Sequence, residues 1–134
     1  MYVLGNMIIR KFKKCNFPCK FLMFKTYCSS VYCSALWDKY RVGSLSKLKV
    51  AHNDILRSLL GVPRYTSASA LFVNNRLDNL DVILRKSMYS LMTRLRGSSN
   101  RLVGALLRSE ALTHSRLWHH WTVALRGHEN SYYF

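Results

Sequence analysis

The sequence predicts an all-α fold, an irregular helical bundle of about five to seven helices. Apolar residues recur every three or four positions over long stretches, and no stretch alternates apolar and polar residues for long enough to form a strand. The few glycines and prolines fall mostly between these periodic stretches, where helix ends belong. The 134 residues, of which 49% are apolar, can bury a core and suit one continuous domain.

Two long helices are predicted in the first half of the chain. The first, Lys20–Tyr40, has a wide apolar stripe and ends before Gly43. The second, Ser44–Leu60, begins with a residue suited to the N-cap. Gly61 offers the left-handed position after its last turn, and Pro63 prevents continuation.

The second half predicts one further long helix, Leu80–Leu95, with Asp78 or Asn79 as its cap. Acidic residues lie near its start, while Arg94 and Arg96 close it, which is the order that the helix dipole favours. Shorter helices are predicted near Ser69–Asn75, Asn100–Leu112 and Ser115–Leu125.

The charge balance points to a polyanionic partner. Lys and Arg total 21 against 6 Asp and Glu, a formal net charge of +15. Positive charges in such excess repel one another and destabilise the compact state unless an anionic partner neutralises part of them. Nucleic acid, an anionic membrane and an acidic protein are the candidates. Bases spread from Arg10 to Arg126 favour a folded basic surface over a disordered basic tail.

The densest basic segment interleaves cations with aromatic residues. We predict that its cations contact nucleic-acid phosphates, and that aromatics of this kind could stack on unpaired bases. For Phe21 and Phe24 the preferred interpretation is instead a place in the core. The candidate nucleic-acid-binding residues are Arg10, Lys11, Lys13, Lys14 and Lys20.

No catalytic or metal site is predicted. Polymerase chemistry needs clustered carboxylates to hold two metal ions, and the chain has no adjacent acidic pair. The four cysteines are separated by three, eight and four residues, unlike the close pairs of zinc ribbons. Buried structural thiols are the preferred interpretation, with a metal site as the alternative. We therefore expect no cofactor and no enzyme activity.

Membrane insertion and secretion are not indicated either. The longest uncharged stretch of the apolar segment, from Thr26 to Trp37, is shorter than the roughly 20 apolar residues that a span requires. No apolar run followed by a small-residue cleavage site occurs in Met1 to Cys19. We expect an intracellular protein of the nucleus or cytoplasm.

An ordered series of short motifs runs through almost the whole chain, from residue 4 to residue 125. The motifs include Gly5–Phe12, Tyr27–Cys28, Tyr32–Cys33, Leu36–Trp37, Val50–Asp54, Leu60–Arg64, Ser67–Ser69, Leu84–Lys86, Ser99–Asn100 and Leu117–Trp118 with Trp121. Together they resemble the region that follows the polymerase core in reverse transcriptases of LINE-type, non-LTR retrotransposons. No single motif is diagnostic, and it is their order that carries the resemblance.

The resemblance implies a non-catalytic C-terminal fragment of an RNA-directed DNA polymerase. Residues 1–65 would form a thumb-like helical part that grips template–primer duplex, and residues 66–134 a C-terminal helical part. Whether residues 80–125 belong to the thumb or to a later accessory segment is left open. The implied partners are an RNA–DNA or DNA duplex and the remainder of the reverse transcriptase core, with no membrane. The alternative is a basic helical interaction protein that binds an acidic partner or an anionic membrane surface.

Overall fold

A computed structural model describes residues 1–31, 33–37 and 42–125, and within these ranges the predicted all-α fold is confirmed. The structure is 74% helical, and its described residues contain no strand. The eight α-helices of this part are α1 (Tyr2–Lys11), α2 (Phe17–Met23), α3 (Val42–Leu60), α4 (Ala68–Asn74), α5 (Leu80–Arg96), α6 (Arg101–Arg108), α7 (Glu110–Thr113) and α8 (Arg116–Leu125).

The described chain forms two compact units, residues 1–31 with 42–80 and residues 33–37 with 81–125. Helix α3 supplies much of the core of the first unit, because Ile55, Leu56 and Leu59 lie on one of its faces and are all buried. Full burial of such side chains stabilises a fold by about 1.5–3 kcal/mol each. The other buried members of this core are Ile8, Phe24, Cys28, Phe72 and Leu77.

A π-helical turn, Phe24–Cys28, follows α2 directly. It is closed by the Ser29 amide, which donates to the Phe24 carbonyl five residues earlier at 3.1 Å. Both residues reach the same partner, because the Phe24 ring lies 4.8 Å from the His52 ring and Ser29 Oγ lies 3.2 Å from His52 Nε2. Residues five apart on a regular α-helix diverge by about 140°, so the wider turn lets both contact one imidazole.

The predicted helix Lys20–Tyr40 is therefore wrong in its extent. Continuous helix runs only from Phe17 to Cys28, and a short 3-10 helix, Ser34–Leu36, appears later. Cys33 separates them with a left-handed φ of 52°, which no α-helix contains. The predicted apolar stripe does not face a core throughout, since Leu22 and Leu36 are exposed. Residues 32 and 38–40 of the predicted helix lie outside the described residues.

The end of α3 is as predicted, whereas its start is not. Gly61 has a φ of +67°, and the Val62 amide donates to the Arg57 carbonyl at 3.1 Å, which is the geometry of a Schellman cap. The helix already begins at Val42, so Gly43 and Ser44 lie inside it. Ser44 is therefore not its N-cap, although the predicted and observed starts differ by only two residues.

The remaining predictions differ mainly at helix ends. Helix α5 matches the predicted Leu80–Leu95 to within one residue and carries acidic Asp81 in its first turn. Ser109 divides the predicted Asn100–Leu112 into α6 and α7, because its extended backbone interrupts the helix. Helix α1 was not predicted at all, since its segment was interpreted through its charge rather than its periodicity.

The second unit has a smaller buried set, which includes Met92 of α5 and Trp121 of α8. The Arg96 guanidinium lies 4.1 Å from the centre of the Trp121 ring, within the range of a cation–π contact. The Trp118 ring packs 5.0 Å from Trp121 at 59°, a tilted arrangement favoured by aromatic pairs. A hydrogen bond of 3.0 Å joins Ser34 of the 3-10 helix to Ser87 of α5.

The close approach of α1 to α3 depends on Gly5. A Cβ added there would lie 2.7 Å from Ile55 Cγ1 and 2.9 Å from both Cδ1 and Cγ2. We predict that Gly5→Ala lowers the free energy of unfolding by about 1–3 kcal/mol, because both branches of a buried isoleucine obstruct the new methyl. Urea unfolding followed by circular dichroism measures the change.

Gly43→Ala is the matched control, because a Cβ at this helical position meets nothing within 4 Å. It should leave stability unchanged or raise it by up to about 1 kcal/mol through helix propensity. Adding Ile55→Val to Gly5→Ala should recover part of the loss. Equal stability of the two alanine variants would contradict the role assigned to Gly5.

Candidate nucleic-acid interface

The five predicted binding residues lie along one corner of the first unit, where α1 ends and α2 begins. Arg10 and Lys11 occupy the last turn of α1, and both are exposed. Lys13 and Lys14 lie in the connecting turn, which is closed by a 3.1 Å bond from the Cys15 amide to the Phe12 carbonyl, and they are exposed too. Lys20 is half-buried on α2. The chain thus presents four exposed cations within five residues.

Part of this arrangement also has a structural explanation. Basic residues in the last turn of a helix are stabilised by its dipole, so Arg10 and Lys11 would be favourable there without any ligand. Lys13 and Lys14 lie beyond the end of α1, in the connecting turn rather than in its last turn. The dipole of α1 therefore does not account for the positions of these two lysines.

No carboxylate balances this corner from within its own segment. Residues 1–37 contain six Lys and Arg side chains and no Asp or Glu. Within the ranges that the structure describes, none of the five predicted binding residues forms an ion pair. Their charge is available to an external partner because no neighbouring carboxylate neutralises it.

The aromatic residues of the corner divide into two groups. Phe24 is 1% exposed and belongs to the core, while Phe12 and Phe21 are half-buried against it. The predicted core position is thus confirmed for Phe24, whereas Phe21 packs against the core while partly exposed. Phe17 differs from them, since it is 55% exposed and has the Lys20 ammonium 5.4 Å from its ring centre. The sequence patterns placed Phe21 and Phe24 in the core and left the position of Phe17 unassigned.

The cysteines do not behave as one class. Cys28 is buried as predicted, whereas Cys15 and Cys19 are half-buried and Cys33 is exposed, contrary to the prediction. Burial raises the pKa of the Cys28 thiol, against a lowering by the charge of the chain's α-amino group. Desolvation raises the pKa of the Cys19 thiol, as do a hydrogen bond with Cys15 and the charge of that neighbour. Their low thiolate content makes Cys19 and Cys28 weak nucleophiles.

Asp54 is a structural residue that the analysis of charge missed. Its carboxylate accepts from Arg57 at 2.9 Å and from Arg64 at 3.2 Å, with the Tyr2 hydroxyl 3.4 Å away. Arg57 also donates from Nε to the Thr66 carbonyl at 2.9 Å. The spacing of three residues between Asp54 and Arg57 within a predicted helix could have indicated this ion pair from the sequence. Asp54 connects α1, α3 and the loop after α3.

A cleft of about 410 Å³ lies beside this carboxylate. Its charged groups are Asp54, Arg57 and Arg64, which are already paired with each other. Both arginines form ion pairs with the Asp54 carboxylate, so the charged groups of the cleft serve the packing of the first unit. Its other lining residues are Tyr2, Asn6, Ile9, Ile55, Ser58 and Val62.

Across residues 1–31, 33–37 and 42–125, no three His, Cys, Asp or Glu side chains are grouped closely enough to hold a metal ion. The same part of the chain has no helix with the length and apolar character needed to cross a bilayer.

We predict that the two arginines of the Asp54 cluster contribute unequally to stability. Arg57→Ala should lower the free energy of unfolding by about 1.5–3 kcal/mol, because it removes a half-buried ion pair and a charge-assisted bond to a carbonyl. Arg64→Ala should cost less than about 1 kcal/mol, because the Arg64 side chain is 85% exposed. Urea unfolding of both variants tests this order, and equal losses would contradict it.

Comparison with models of protein families, with curated proteins and with solved structures finds no match to this chain. The function is therefore inferred from the chemistry of the chain itself together with the resemblance described above.

Proposed function

We propose that this chain is the non-catalytic C-terminal part of an RNA-directed DNA polymerase of a non-LTR retrotransposon, and that it grips template–primer nucleic acid. The corner between α1 and α2 makes the contact. Its cations neutralise backbone phosphates, so binding is largely independent of sequence.

The observation that carries the proposal is the exposed, carboxylate-free turn of Lys13 and Lys14. Both lysines are exposed within this turn, beyond the end of α1, and so lack the dipole stabilisation that a helix end gives. A net charge of +15 raises the local potential further and speeds the approach of a polyanion. The resemblance to the region after a reverse transcriptase core selects nucleic acid among polyanions.

The remainder of the polymerase core is the second proposed partner. Helix α1 exposes Val3, Leu4 and Met7, with Val3 81% exposed. An apolar face of this kind on a short helix is typical of a surface that packs against another part of a larger protein. In the parent protein this face would be covered, while the basic corner remains open to the duplex.

The proposal predicts a steep dependence of duplex affinity on salt. Log affinity for a DNA duplex should fall linearly with log salt, by about 0.9 for each phosphate neutralised. Lys13→Gln with Lys14→Gln should lower this slope by roughly 1.8, because two phosphate contacts are lost. Fluorescence anisotropy of a labelled DNA duplex at several salt concentrations measures the slope, and an RNA–DNA duplex should behave alike.

Arg101→Gln with Arg108→Gln is the charge-matched control, since both positions are exposed and lie in α6 of the other unit. Both double variants remove the same charge, so a general effect of net charge would lower both slopes equally. A slope near zero for the unmodified chain would overturn the proposal. Equal slopes for the two double variants would remove the role of the α1–α2 corner.

The structure also supports a second candidate, a basic helical protein that binds an anionic membrane surface or an acidic partner. The stretch Lys20–Tyr40 no longer supports it, because that stretch is not one helix. Helix α6 does, since Leu102 is 79% and Leu106 47% exposed, one turn apart, between Arg101 and Arg108. Co-sedimentation with anionic vesicles that a DNA duplex fails to compete away would favour this candidate.

A further inference from the structure

We propose that Phe17 and Lys20 bind one unpaired nucleotide, so that the α1–α2 corner takes single-stranded nucleic acid in addition to duplex. This inference rests on the proposed function, because it assigns a substrate class to the same surface. The base would stack on the Phe17 ring, and the adjoining phosphate would contact the Lys20 ammonium.

Phe17 is positioned for an external contact rather than for the core. Its neighbours on the helical segment, Phe21 and Phe24, turn inwards, whereas 55% of Phe17 remains exposed. Phenylalanine is among the residues most often buried, and it has no polar group that benefits from water. An aromatic ring left open beside exposed cations is the combination that single-strand binding proteins use.

The Phe17 ring is also held in place by two residues of its own helix. The Phe21 ring stacks on it with centroids 6.3 Å apart and planes inclined by 29°. The Lys20 ammonium lies 5.4 Å from the Phe17 centroid, within the range of a cation–π contact. A ring constrained in this way loses little conformational entropy when a base stacks on it. The entropy cost therefore offsets less of the favourable stacking energy.

Lys20 brings a positive charge next to the stacking surface. A nucleotide that stacks on Phe17 carries its phosphate close to its base, so one ammonium beside the ring can neutralise it. Lys13 and Lys14 precede Phe17 in the chain by only a few residues and are exposed. They supply further phosphate contacts for the flanking nucleotides, and no carboxylate of residues 1–37 competes with them.

Duplex offers no comparable contact to Phe17. Bases within a duplex are already stacked on their neighbours, and exposing one costs a few kcal/mol. The duplex therefore contacts the cations through its phosphates, whereas an unpaired strand contacts both the cations and the ring. Removal of the Phe17 ring should consequently lower the affinity for single strand but not for duplex. Removal of the Lys13 and Lys14 charges should lower both affinities.

The test compares the binding of a labelled mixed-sequence single strand and of the matching duplex by fluorescence anisotropy. Phe17→Leu keeps an apolar side chain but removes the aromatic face. It should weaken single-strand binding by roughly 5- to 150-fold, and change duplex binding by less than about two-fold. Phe17→Trp should retain single-strand affinity, because indole also stacks on bases.

Lys20→Gln should weaken single-strand binding, and its effect should not add to that of Phe17→Leu, since both residues contact the same nucleotide. Tyr65→Leu is the control for an exposed aromatic ring elsewhere. Tyr65 is 91% exposed, and its neighbour Arg64 is paired with Asp54. This control should leave both affinities unchanged, and circular dichroism should show every variant to be folded.

The outcomes separate this inference from the proposed function. If the unmodified chain binds both substrates but Phe17→Leu weakens neither or both equally, the inference is overturned and the proposed function stands. If the unmodified chain binds neither substrate, the proposed function is overturned and the inference with it. A Phe17→Leu variant that loses only anionic vesicle binding would show that the ring contacts lipid, which also overturns the inference.

Discussion

The first unit is organised around the buried imidazole of His52. This side chain is fully inaccessible, and burial of a polar ring costs free energy that hydrogen bonding offsets. Ser29 supplies a contact to Nε2, while Phe24 and Phe72 surround the ring from two other segments. The requirement that Phe24 and Ser29 reach the same ring from one helix demands a π-helical turn. Helix α2, which carries Phe17 and Lys20, leads directly into that turn.

The few carboxylates of the first unit are used in a way that leaves its basic corner uncompensated. Asp54 forms ion pairs with Arg57 and Arg64. It lies at the opposite end of α1 from Lys11, where its bond with Tyr2 connects the first turn of that helix to α3. The carboxylate thereby stabilises the packing of α1, and the cations beyond its last turn keep their full charge. The first turn of α1 thus has a structural role, and the proposed binding residues lie at and beyond its last turn. Gly5 permits the close contact between α1 and α3.

Sequence patterns predicted those features that depend on local chemistry. The end of α3 followed from Gly61, because only a left-handed residue closes a Schellman cap, and α5 followed from a regular stripe of apolar residues. The break after Cys28 did not follow, because it depends on contacts with His52, which is distant in sequence. The exposure of Phe17 was hidden for the same reason: its type and spacing match those of Phe21, and only the packing of the core distinguishes the two. The basic corner itself was predictable, since it is a property of consecutive residues.

The π-helical turn has a consequence for how this segment varies between related chains. A π-helical turn contains one residue more than the α-helical turn it replaces, so it corresponds to a single-residue insertion that the helix has absorbed. Loss of one residue between Phe24 and Ser29 would restore a regular helix and move the serine hydroxyl away from His52. We therefore expect the segment to accept substitutions at its exposed positions, such as Lys25 and Thr26, but not a change in length.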